Sequence, residues 1–109
     1  MTVNMELLQR VKETLSGQKI VEKEMLGGVF FLLDQEIACG VWGDYLVVNV
    51  GEDRMEEILT HPLARVFEAE GGHSLGCVQI VPTGTARAVD LAGWVRTGLE
   101  TASAKNQGS

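Results

Sequence analysis

The residues able to do chemistry are few, and each set can be weighed by its spacing. His73 and Ser74 adjoin in a Gly71-Gly72-His73 turn, and Cys77 follows shortly after. An imidazole beside a hydroxyl and a thiol is the raw material of nucleophilic catalysis, where the histidine takes the proton of the attacking group. Neighbours in an extended chain point to opposite faces. His73 can therefore share a face with Leu75 and Cys77 but not readily serve Ser74, and no Gly-x-Ser-x-Gly elbow occurs. The soft metal ligands are Cys39, Cys77, His61 and His73; none are paired at Cys-x-x-Cys or His-x-x-x-His spacing, so neither metal nor cofactor is expected. Gly27-Gly28 and Gly71-Gly72 lack the Gly-Lys-Ser/Thr of a phosphate loop, which leaves backbone geometry as their expected role. Gly51 precedes a helix start, a position that attracts anions, but Glu52 and Asp53 already place negative charge there. Together with Glu56 and Glu57 they make one acidic helix face, either solvated or docked on a basic partner.

These side chains hang on elements legible from the apolar pattern. Leu7, Leu8, Val11 and Leu15 form the stripe of a helix over 2–16, capped by Thr2 or Asn4 and ended at Ser16-Gly17. The stretch from Met25 to Val50 holds apolar runs at 29–33, 36–42 and 45–50, joined by Asp34-Gln35 and Gly43-Asp44. Turn residues between alternating runs predict an antiparallel meander. Ile37, Cys39 and Val41 are expected on one face, with Cys39 as a small apolar residue. Glu22 to Met25 reads as the solvated start of the first strand, and Gly27-Gly28 as its bulge. A helix from Gly51 to about Thr60 follows, stopped before Pro62. Strands at 65–69 and 75–81 form a second hairpin. A last helix, N-capped by Asp90, carries Leu91, Trp94, Val95, Leu99 and Ala102. The polar residues 105–109 are expected as a disordered tail after a single domain over 1–104.

The order predicts an α+β two-layer sandwich, α-β(3)-α-β(2)-α, with an antiparallel sheet. At 109 residues and 45% apolar content, one domain with a real core is the expectation. No apolar run is long enough to span a bilayer and no leader pattern opens the chain, which predicts a cytoplasmic protein with reduced thiols and no membrane partner. A net charge of −6 with scattered cations disfavours direct nucleic-acid binding.

Glu22-Lys23-Glu24-Met25-Leu26-Gly27-Gly28, the apolar strand after it, and Cys39-Gly40-Val41-Trp42-Gly43-Asp44-Tyr45-Leu46 resemble the TfoX N-terminal-domain family. That family carries a Met-Phe-Gly-Gly motif, a hairpin and a Gly-Asp-x-Leu turn in this region. Asp90 to Val95 and Gly98-Leu99 resemble its closing helix. The resemblance implies a secretion-chaperone-like α-β(3)-α-β(2)-α fold and a regulatory role akin to that of a competence regulator, and it brings no catalytic residues. Leu26 replaces the usual Phe, and Asn49, Gly72 and Leu75 stand where basic residues are common. If relatives hold an anionic partner through those cations, the contact is lost here.

The apolar runs at 29–33 and 45–50 leave apolar side chains on both faces of the sheet. Helices on one side would leave Trp42, Tyr45, Val47, Cys77 and one of Phe30 or Phe31 on the other. The C-terminal helix or loops can cover that face from within the chain. Left uncovered, an apolar face marks an interface, and the reading is a non-enzymatic interaction module that forms a two-fold homodimer or docks another protein through these residues. The alternative is a small enzyme or ligand-binding protein built on the 71–77 hairpin with His73 and Cys77.

Overall fold

In the computed structural model, which describes residues 3–67 and 76–107, Asn4 caps the first helix, α1 (Met5–Thr14). Its Oδ1 accepts from the Leu7 amide at 3.0 Å. Its own amide donates to the Gly43 carbonyl at 2.8 Å and its Nδ2 to Asp44 Oδ1 at 3.0 Å. One residue thus satisfies an orphan helix donor and seats α1 on a strand turn.

Four strands follow, one more than the sequence predicts. Ile20–Met25 is a complete strand, β1, and Leu26-Gly27 is a two-residue turn into β2 (Gly28–Leu33). Leu26 and Gly27 have φ of 56° and 82°, the double left-handed conformation of a type I′ hairpin. The expected bulge at Gly27-Gly28 is therefore a turn, unforeseen because leucine rarely adopts positive φ. Asp34-Gln35 forms a second such turn, with φ of 49° and 75°, into β3 (Glu36–Trp42). Gly43, at φ 62°, turns the chain into β4 (Tyr45–Asn49).

The bulge lies elsewhere. Phe31 pairs with Cys39, but Leu32 pairs with Ile37, so Ala38 is the extra residue. This corrects the predicted alternation. Cys39 and Val41 face the helices, whereas Ile37 joins Trp42 on the other side. Asn49 pins the bulge: its Nδ2 donates to the Ile37 carbonyl at 2.7 Å and its Oδ1 accepts from the Gly51 amide at 3.1 Å. Asn49 is buried, so Asn49→Ala should cost about 1–3 kcal/mol by leaving a carbonyl and an amide without their partner. Urea denaturation checks this, and an unchanged midpoint would show that water replaces the amide.

A 3₁₀ turn (Glu52–Arg54) leads into a one-turn helix, α2 (Met55–Ile58). β5 (Ala64–Val66) and β6 (Cys77–Ile80) complete an antiparallel sheet of order β1-β2-β3-β4-β6-β5. The turn predicted at Gly71-Gly72-His73 lies outside the described residues. The last helix, α3 (Ala88–Gln107), starts before Asp90, which sits in its first turn instead of capping it. It continues through Gln107 where a disordered tail is predicted, with Ala102 buried near that end.

The main core lies between the sheet and the helices. Leu7, Leu8 and Val11 of α1 and Leu91 and Val95 of α3 meet Val29, Phe31, Val41, Leu46, Val48, Val78 and Ile80. The fold is the expected α+β two-layer architecture, with the helices on one face. Trp94 is only half-buried, its ring edge-on to His61 at 5.4 Å.

Candidate functional site

The second face of the sheet decides whether an interaction surface exists. Gly40 lies opposite Phe30 across β2 and β3. A Cβ on Gly40 would stand 2.5 Å from the Phe30 ring, so only glycine lets that ring lie flat across β3. Gly28 plays the same part for Trp42: a Cβ there would meet the Val41 carbonyl at 2.5 Å and the indole at 3.2 Å. The Trp42 indole N–H donates to the Leu26 carbonyl at 3.1 Å, which holds the strained first turn. The Gly-Gly pair is thus a seat for an aromatic ring.

Phe67, just past β5, comes over this platform. Its ring centroid is 6.1 Å from that of Phe30 and 5.6 Å from that of Trp42, edge-on to the indole. Phe30, Val47, Phe67 and Cys77 form a second, smaller core, fully buried. The expectation of a bare face therefore fails at its centre. Val47 and Cys77 are not surface residues, because the chain folds Phe67 over them. Of the expected aromatics, Phe30 rather than Phe31 belongs to this side.

What stays accessible is the rim. Trp42 and Tyr45, directly opposed on β3 and β4, are half-buried with centroids 6.4 Å apart. Met25, Leu26, Leu32 and Ile37 border the same core and are half-buried too. The sequence singles out Trp42 and Tyr45 but misses Phe67, Met25 and Ile37. Gly40 in an apolar strand is the sequence signal for the Phe30 ring lying across the backbone. Phe67, which packs on that ring from just past β5, has no comparable local signal.

The candidate chemical groups are dispersed. Cys39 is buried on the helix face and Cys77 on the opposite face, so the sheet separates them. Burial pushes both thiols up to about 12; the Lys105 ammonium pulls Cys77 the other way without prevailing, and Cys77 raises Cys39 further. Both hold their proton at neutral pH, which makes them poor nucleophiles. Unfolded, they ionise near the ordinary 9.0. The folded chain thus binds more protons between pH 9 and 12. The thiol contribution to stability is complete below that window and is lost as pH rises through it, by at most about 1.4 kcal/mol per pH unit for each thiol. A Cys39→Ala/Cys77→Ala variant should lose stability more slowly than the unmodified chain above pH 9; parallel loss would contradict this burial.

His61 closes the α2 segment, where its Nδ1 accepts from the Leu63 amide at 3.1 Å. His73 and Ser74 lie outside the described residues, so the hairpin alternative meets only Cys77 within them. The Gly51 amide is already engaged, by the Gly76 carbonyl and by Asn49, each at 3.1 Å. Among the described residues, no three His, Cys, Asp or Glu side chains gather to hold a metal ion. No described helix is long and apolar enough to cross a membrane. The arrangement defines an α+β domain with one half-open aromatic rim. No family model, curated protein or solved structure matches the chain.

Proposed function

We propose that this chain is a non-enzymatic protein-interaction module, regulatory or adaptor-like as its resemblance to the TfoX N-terminal-domain family implies. It works in the cytoplasm and associates through the apolar rim of its second sheet face. The carrying observation is the half-buried Trp42–Tyr45 pair beside Met25, Leu26, Leu32 and Ile37. Aromatics that keep one face wet while anchored from behind are the usual energetic centre of an interface. The leading partner is a second copy, in a two-fold dimer about this rim.

Sedimentation tests the reading. The unmodified protein should run at twice its 11.8 kDa chain mass at tens of micromolar. Tyr45→Glu should give a folded monomer, since a carboxylate there would be buried unpaired in the dimer. A monomer for the unmodified chain, or a dimer indifferent to Tyr45→Glu, would remove the rim as the self-association surface.

A further inference from the structure

β1 is an edge strand, paired through its length with β2 and with no other strand of the described residues on its outer side. Its four central residues are exposed, Val21 with 64% of its surface in solvent. A strand placed this way adds little to the core, while its outer N–H and C=O groups form a template for one more strand. Its side chains state which strand that is. By the register with β2, Val21, Lys23 and Met25 stand on the side of Leu32 and Phe30. Glu22 and Glu24 stand on the side of Phe31 and Val29.

A second copy fits this edge badly. In a two-fold antiparallel pair, directly opposed residues share a face. A register centred on Lys23 sets Lys23 against itself and Glu22 against Glu24. Registers centred on Glu22 or Glu24 set a carboxylate against its own copy. Like charges in opposed positions destabilise the pair. The geometry points to β1 as a docking edge for a strand of a different protein, patterned apolar–basic–acidic–basic–apolar. Its basic residues oppose Glu22 and Glu24, its acid opposes Lys23, and its apolar ends meet Val21 and Met25. Backbone hydrogen bonds would supply affinity and the alternating charges specificity. Lys12 already holds Glu22 at 3.2 Å, so Glu24 is the stronger acidic determinant. This edge adjoins the aromatic rim at Met25, and its test reads the charge preference of the docked strand, which self-association through Trp42 and Tyr45 does not set.

Isotope-labelled protein is titrated with a peptide containing Leu-Lys-Glu-Lys-Val and, separately, with the charge-swapped Leu-Glu-Lys-Glu-Val. Amide shifts should centre on residues 20–25, and the first peptide should bind about tenfold more tightly, the summed worth of three opposed charge pairs. The E22K/K23E/E24K variant changes only exposed side chains and should reverse the preference. Equal binding of the two peptides, shifts centred outside β1, no shifts with either peptide, or a preference unchanged in the variant would overturn the proposal.

Discussion

Phe67→Ala is expected to destabilise the domain by about 3–5 kcal/mol, the usual cost of emptying a buried phenylalanine site. The ring is fully buried against Phe30 and the Trp42 indole. Domains of this size hold roughly 5–15 kcal/mol in total, so the variant approaches the limit of folding. The effect should also be local in a way that a generic core defect is not. Cys77 belongs to the small core under Phe67, whereas Cys39 lies in the large core across the sheet. A thiol reagent under native conditions should therefore modify Cys77 faster in the variant while Cys39 stays protected, as read by mass spectrometry of each cysteine peptide. If the two cysteines label at equal rates and the denaturation midpoint does not move, Phe67 is not the cover of that face.

The second large effect is at Gly98. α3 crosses the sheet there so closely that a Cβ would stand 2.1 Å from the Ala38 carbonyl oxygen and 2.9 Å from its carbon. Both atoms are backbone, and Ala38 is the bulged residue, so no rotamer change relieves the contact. Gly98→Ala should cost about 3 kcal/mol or more, the upper end of the overpacking range, as α3 is forced off β3. Gly93, on the same helix, has nothing within 4 Å of its Cβ position. Gly93→Ala should instead stabilise, by up to about 1 kcal/mol, because alanine is the better helix former. Denaturant midpoints of the two variants should move in opposite directions. A shift of the same sign in both would show that helix propensity, not the close approach, governs this helix.

The elements of this chain were legible where local physics decides them. The 3.6-residue stripes of Leu7, Leu8 and Val11 and of Leu91 and Val95 specify helices. Asp34-Gln35 and Gly43-Asp44 between alternating apolar runs specify hairpins, and from these the α+β class follows. The Gly27-Gly28 pair was legible as a backbone device, and Trp42 and Tyr45 as residues of the face away from the helices. Three things were decided only in three dimensions. The Leu26-Gly27 turn, and with it β1, depends on a leucine held at positive φ by a hydrogen bond from Trp42, sixteen residues on; no local propensity favours it. The faces of β3 depend on one extra residue at Ala38, and a single insertion reverses every earlier side chain of a period-two strand. Which apolar residues at the centre of the second face are covered depends on Phe67, distant in sequence from both Phe30 and Trp42, which packs with Val47 and Cys77 in a buried cluster while Trp42 and Tyr45 stay half-buried. Pattern along the chain sets what each segment is, because its causes lie within one helical turn or one strand pair. Burial is a sum over contacts between segments, and so it is settled only when the chain has closed on itself.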